Sequence, residues 1–173
     1  PPMEIKIVDE QGEECAPGDV GELLARMPGR QREYYKDVRA TESTWTADGW
    51  LHSGDLGYLD DDGFLYLVGR MKDVIIRGGN NIYATDVEAV ILEHPAVREV
   101  AVVGLPHPVL GEDVGAFVVL KPGATLAADE LRDFCAERLA DYKRPRSVVF
   151  VEELPRNATG KVMKQQLVET AEG

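Results

Sequence analysis

Gly69-Arg70-Met71-Lys72-Asp73-Val74-Ile75-Ile76-Arg77-Gly78-Gly79 is where the sequence changes texture. Before it lie short, turn-punctuated apolar stretches. Glu4-Ile-Lys-Ile-Val8 alternates polar and apolar residues, the period of a half-buried strand. Turns at 9–12 and 16–18 precede a second strand at 21–27, and 33–47 has room for a short helix. Leu56–Leu59 and Phe64–Val68 flank Asp60-Asp61-Asp62-Gly63, a hairpin turn closed by glycine. After the junction, Val74–Ile76 meets a glycine pair, and Thr85-x-x-Glu88 has the form of a capping box opening an apolar helical face of Val87, Val90 and Ile91. His94-Pro95 ends that helix. Val97–Leu105 and Val114–Leu120 then read as strands, Leu131, Phe134, Cys135 and Leu139 as a helix, Val148–Val151 as a strand, and a short helix follows Lys161. The expected fold class is α+β. A β-rich segment, 1–69, is joined through 70–73 to a compact β-α-β-β-α-β unit over 74–173 with a small antiparallel sheet and flanking helices. A short charged joint of this kind can serve as a hinge.

Hydrophobic residues make up 44% of the 173 positions and charged residues 29%, enough of the former for a real core. No apolar run is long enough to span a bilayer and no signal-peptide pattern opens the sequence, so a cytoplasmic protein is expected. The start at Pro1-Pro2 followed directly by a strand reads as a cut within a longer polypeptide. Cys15 and Cys135 lack CxxC spacing, and His52, His94 and His107 share no helical face, so neither a zinc site nor a disulfide framework is expected. A net charge of −12 disfavours nucleic acid as a partner. Residues 1–69 carry 15 acids against 6 bases, whereas 70–173 carry 16 against 13, and six of those bases fall between Lys143 and Lys164. Such a locally basic segment suits a small anionic ligand such as a nucleotide, although a solvated basic face gives the same pattern.

Four local patterns hold candidate chemistry. Pro155-Arg-Asn-Ala-Thr-Gly-Lys161 resembles a phosphate loop but fails the Walker pattern, with Pro155 in place of Gly and Val162 in place of Ser or Thr. What remains is a lysine beside a glycine, able to neutralise carboxylate or phosphate oxygens, or simply solvated. His52-Ser53-Gly54-Asp55 offers a carboxylate to a sugar diol, or forms an Asx turn. Arg70 offers a donor fork to phosphate or ribose oxygens, or pairs with Asp73. Gly78-Gly79 admits close ligand approach, or is ordinary turn material.

Taken in order, Trp50-x-x-Ser53-Gly54-Asp55, Gly69-Arg70-x-Lys72-Asp73, Gly78-Gly79-x-x-Ile82-x-x-x-Asp86-Val87-Glu88, Leu139-x-x-Tyr142-Lys143-x-Pro145 and Pro155-x-x-x-x-Gly160-Lys161 closely resemble the late motifs of the adenylate-forming (ANL, AMP-binding) superfamily. That group includes acyl-CoA synthetases, peptide-synthetase adenylation domains and firefly luciferase, and the resemblance covers nearly the whole sequence. It implies that 1–69 is the end of a large ATP- and acyl-binding domain and 74–173 a mobile C-terminal lid. It implies an AMP-forming acyl-CoA ligase that uses MgATP and coenzyme A, with a carboxylic acid as the other substrate. By the same resemblance Asp55 binds the ribose hydroxyls and Arg70 the ribose or phosphate region. Lys161 bridges carboxylate and α-phosphate oxygens, Lys72 occupies the hinge position, and Gly78 and Gly79 line the pantetheine tunnel. Any Mg²⁺ would arrive with ATP and be held by the rest of the protein. Residues 75–82 and 153–161 look more like acyl-CoA and aryl-CoA ligases than like peptide-synthetase domains, which carry Arg-Gly-x-Arg-Ile in the first loop. The alternatives are an adenylation domain loading a carrier protein's phosphopantetheine arm, or a non-catalytic nucleotide-binding or interaction module. On the favoured reading, the 173 residues alone are inactive.

Overall fold

A computed structural model describes residues 2–27 and 44–172. Residues 33–43 of the short helix expected at 33–47 lie outside the described residues. Two compact units divide between Lys72 and Asp73.

The first unit is a four-stranded antiparallel meander of β1 (Glu4–Val8), β2 (Gly21–Arg26), β3 (Leu51–Leu59) and β4 (Leu65–Arg70), in that spatial order. Its small core is Val8, Leu24 and Trp50. Two cations lie over the Trp50 ring, Lys6 Nζ at 4.7 Å and Arg26 Cζ at 4.4 Å from the centroid, and add to its cover. Gly21 is required for close approach, because a Cβ there would lie 2.2 Å from the Val8 carbonyl oxygen. The β3–β4 turn is built by Asp60, whose Oδ1 accepts from the Asp62 and Phe64 amides at 3.1 and 2.8 Å. Two irregularities matter for the site. Ser53, Gly54 and Asp55 of β3 bulge opposite a single residue of β2, and Val68 is an extra residue of β4 between Leu67 and Gly69. Together they set Asp55 directly across from Arg70.

The second unit has one more strand than expected. β5 (Val74–Arg77) pairs with β6 (Asn80–Tyr83) in a hairpin, then come α1 (Ala84–Leu92), β7 (Val97–His107), β8 (Gly111–Leu120), α2 (Ala128–Ala136), β9 (Ser147–Phe150) and α3 (Lys164–Glu172). Asn80-Asn81 looks like loop sequence, yet Gly78 and Gly79 both take positive φ, 56° and 83°. Positive φ at both central residues is what a tight two-residue hairpin turn needs, and it returns the chain as a strand. The Thr85-x-x-Glu88 box does not cap α1. Thr85 is already the helix's second residue, and the Glu88 carboxylate instead accepts from the Val102 amide at 2.9 Å.

The sheet runs β6-β5-β8-β7. All of these pairings are antiparallel, while β9 adds to β8 in parallel. Its central ladder is apolar on both faces. Val102, Val114, Ala116 and Val118 pack with Val87 and Ile91 of α1 and Leu131 and Cys135 of α2. The alternate residues Ala101, Val103, Phe117 and Val119 pack with Leu154 and with Leu167 of α3. Burial on both faces explains why these strands read as continuous apolar runs instead of alternating. Desolvation pushes the Cys135 thiol up to about 11, so it behaves as a small core hydrophobe. Phe117 anchors the α3 face at 1% exposure. Phe117→Ala should destabilise the protein by about 3–5 kcal/mol, read from the shift of the denaturant midpoint at unchanged slope.

Candidate functional site

Asp55 and Arg70, nominated separately by sequence, meet across β3 and β4, with Arg70 Nε 3.0 Å from Asp55 Oδ1. Arg70 therefore pairs with Asp55 and not with Asp73, the partner that sequence proximity suggested. One guanidinium nitrogen is used, which leaves the terminal nitrogens and the second Asp55 oxygen for other contacts. The turn before Asp55 is not made by its own carboxylate. Ser53 Oγ accepts from the Asp55 amide at 3.0 Å, and Glu22 Oε1 accepts from the Gly54 amide at 3.1 Å. The other Glu22 oxygen lies 2.8 Å from His52 Nδ1. Glu22 was missed in the sequence because it sits thirty residues away on β2 and reaches the bulge only through strand pairing. Lys72 lies in the single 3₁₀ turn Met71–Asp73, where the two compact units divide.

In the second unit, the Gly78-Gly79 turn is held by its own strand pair and by the Gly78 amide, which donates to the Leu110 carbonyl at 2.9 Å. Beside it Arg77 Nε bonds Asp113 Oδ1 at 2.7 Å. A side chain at Gly79 would meet open space, so the exposed face of the turn is smooth backbone.

Lys161 closes a tight loop, 157–161, clipped at its base by the Arg156–Val162 bridge. Asn157 builds the loop. Its Oδ1 accepts from the Thr159 amide (3.0 Å), the Thr159 hydroxyl (2.8 Å) and the Lys161 amide (2.9 Å). Gly160 supplies the positive φ, 83°. One flank is tied to the sheet and the other to α1. Arg156 Nη2 bonds Glu99 Oε2 of β7 at 2.6 Å, and Lys164 Nζ bonds Glu88 Oε1 at 2.8 Å. An Asn that nucleates its own turn was a readable signal here; the Glu99 and Glu88 anchors were not.

The six bases between 143 and 164 now separate. Lys143 pairs with Asp86, Arg144 and Arg146 with Asp141, Arg156 with Glu99, and Lys164 with Glu88. Among the described residues of this unit, Lys161 is the one lysine or arginine with no hydrogen-bond or ion-pair partner for its side chain. Every base of the cluster has an acidic partner, Arg144 and Arg146 sharing Asp141, except one exposed ammonium on a braced loop.

The Gly78-Gly79 turn and the Lys161 loop refer to opposite ends of the β7–β8 ladder. Arg77 pairs with Gly111 at the start of β8, whereas Glu99 pairs with Val119 near its end. Those two positions are eight residues apart on one strand, roughly 26 Å at about 3.3 Å per residue. The two features therefore do not form one local constellation.

Residues 86–161 match the AMP-binding enzyme C-terminal domain model. A Rhodococcus jostii 3-[(3aS,4S,7aS)-7a-methyl-1,5-dioxo-octahydro-1H-inden-4-yl]propanoyl:CoA ligase is 49% identical over 91% of this chain and 31% of its own length. The ATP-bound MatB structure from Rhodopseudomonas palustris superposes with a TM-score of 0.92 at 38% identity, covering 98% of this chain and 34% of that one. A Bacillus subtilis o-succinylbenzoate CoA synthetase in complex with its acyl-adenylate intermediate gives 0.87 at 43% identity, covering 95% and 33%. The chain thus spans about a third of the length of these relatives. Among the described residues no helix is long and apolar enough to cross a membrane.

The hydrogen bond from Arg156, reinforced by the charges of Arg156 and Arg98, holds the Glu99 carboxyl below the usual carboxylate range. A depressed carboxyl contributes above its ordinary pKa and loses that contribution as pH falls through the lowered value. The Arg156–Glu99 tie therefore persists at neutral pH and opens only in acid. Arg156→Met should raise the Glu99 titration midpoint, followed by NMR of the side-chain carboxyl carbon.

Proposed function

We propose, from the match of residues 86–161 to the AMP-binding enzyme C-terminal domain model, that the whole protein is an AMP-forming acyl-CoA ligase. In this proposal a carboxylic acid and MgATP give an acyl-adenylate and pyrophosphate, and coenzyme A then takes the acyl group. The relatives' names supply the chemistry: a CoA ligase, an ATP-bound homologue and a CoA synthetase holding an acyl-adenylate. The observation that carries the reading to this chain is Lys161, an uncommitted ammonium on a loop braced at both flanks.

The roles follow from what each group can offer. Asp55 presents acceptor oxygens to the ribose diol, with Arg70 beside it directing its free guanidinium nitrogens to ribose or phosphate oxygens. Lys161 approaches the attacking carboxylate and the α-phosphate, where negative charge redistributes as the P–O bond to pyrophosphate breaks. No acid of its own unit competes for it. Mg²⁺ comes with the ATP phosphates. Lys72 lies in the hinge, so that the small domain, 74–173, moves against the domain to which 1–69 belongs. The smooth backbone at Gly78 and Gly79 would line the path of the pantetheine arm, where a side chain would obstruct it. Because Lys161 and the glycine turn are anchored at opposite ends of one ladder, a single orientation of the domain presents one of them at a time. The 173 residues alone would then lack the acid pocket and turn over no substrate.

In the full-length protein, Lys161→Ala should lower acyl-adenylate formation by about 10²–10³-fold, the scale of losing one charge-stabilising group. CoA thioester formation from supplied acyl-adenylate should be largely spared. Pyrophosphate exchange reads the first half-reaction and thioester release the second. Equal loss in both would refute the assignment of Lys161.

A further inference from the structure

The Gly160–Lys161 peptide is held at both of its polar ends. Asn157 Oδ1 accepts its N–H at 2.9 Å, and Arg156 Nη1 donates to its carbonyl oxygen, that of Gly160, at 2.8 Å. The same guanidinium reaches Glu99 Oε2 through Nη2 at 2.6 Å, and Glu99 stands on β7 opposite Val119 of β8. A continuous path of hydrogen bonds therefore runs from the central ladder through Glu99 and Arg156 to the peptide from which the Lys161 side chain departs. Gly160, with φ of 83°, would otherwise leave that peptide free to rotate, since glycine has no Cβ to restrict it.

We propose that Arg156 and Glu99 are positioning residues for Lys161, fixing the plane of the Gly160–Lys161 peptide and with it the direction of the ammonium. The proposal rests on the adenylation role given to Lys161 above. Arg156 is suited to this and not to ligand binding, because its two terminal nitrogens are already used within the loop and on β7. Stability is a poor explanation for the arrangement. Arg156 and Glu99 have side chains 46% and 33% exposed, and pairs of that kind contribute little to folding. Orientation is different, because an error of about 1 Å in placing a reacting group can cost on the order of 10²-fold in rate. The planar fork is also specific: a lysine has one ammonium and cannot span the Gly160 carbonyl and the Glu99 carboxylate as a rigid pair of donors.

The test uses the full-length protein with Arg156→Ala, Arg156→Lys, Glu99→Gln and the Arg156→Ala/Glu99→Gln double variant, beside Lys161→Ala. Arg156→Ala should lower kcat for acyl-adenylate formation by about 10–10²-fold, leave KM for ATP little changed, and spare thioester formation from supplied acyl-adenylate. Intact thioester formation also certifies that the domain is folded. Arg156→Lys should recover only part of the loss. Glu99→Gln, which keeps an acceptor oxygen, should lose less than Arg156→Ala, and the double variant should lose less than the two single effects combined, as members of one path do. Wild-type adenylation in Arg156→Ala, a loss expressed mainly in KM, or equal loss in both half-reactions would each overturn the inference. If Lys161→Ala is impaired and Arg156→Ala is not, only the positioning role falls. If Lys161→Ala itself adenylates normally, the functional reading falls and the positioning role with it.

Discussion

The second unit is organised by one constraint, a strand ladder, β7 with β8, that is apolar on both faces. Val102, Val114 and Val118 look one way and Ala101, Phe117 and Val119 the other. Helices α1 and α2 cover only the first face. The second stays wet until the chain leaves β9 and lays α3 across it through Leu167, with Leu154 filling the approach. Residues 151–163 thus run from the end of β9 over the second face, where Val151, Leu154 and Val162 join the cluster, and the Lys161 loop is the last turn before α3. Burial at about 25 cal/mol per Å² of apolar surface makes covering the second face worth far more than any contact within the loop. The hydrophobic layer decides where the loop goes, and the polar contacts decide how it is held.

Those polar contacts share an origin in β7. Glu99 is engaged by Arg156, and the Val102 amide holds Glu88, whose same oxygen takes Lys164. Two residues of one strand, Glu99 directly and Val102 through Glu88 of α1, therefore brace the segment on both sides of Lys161. In the first unit the bulge at Ser53–Asp55 has a comparable brace in Glu22, which spends both carboxylate oxygens on the bulge and on His52. In each unit a carboxylate engaged within the fold supports the segment that carries a candidate side chain.

Local pattern was enough to read β1 from the alternation of 4–8, the turn at Asp60–Gly63, and the buried runs that became β7 and β8. It failed where longer-range pairing decides. Asn80-Asn81-Ile82-Tyr83 looks like loop and becomes β6 only because β5 is there to receive it. The capping-box pattern Thr85-x-x-Glu88 begins at the second residue of α1, and its Glu88 is drawn away by the Val102 amide fourteen residues on. Proximity in sequence offers Arg70 its neighbour Asp73 as an alternative partner, whereas an extra residue in β4 places it across from Asp55. The candidate residues could be singled out because their motifs are local. Their partners could not, because the pairs that neutralise Lys143, Arg156 and Lys164 span 57, 57 and 76 residues.

That neutralisation bears on what Lys161 can do and where. Two unit charges 4 Å apart attract by about 1 kcal/mol in water and about 4 kcal/mol at an effective dielectric of 20. On an exposed loop the ammonium faces the first value, too little to speed a reaction appreciably. It reaches the second only where another surface closes over it and displaces water. A lysine already paired within its own domain would also have to give up that partner to act, and Lys161 has none to give up. The arrangement suits a group carried into a site formed elsewhere in the protein. On the proposed function its charge would gain strength on arrival there, and a braced peptide would keep the direction of the side chain from being lost on the way.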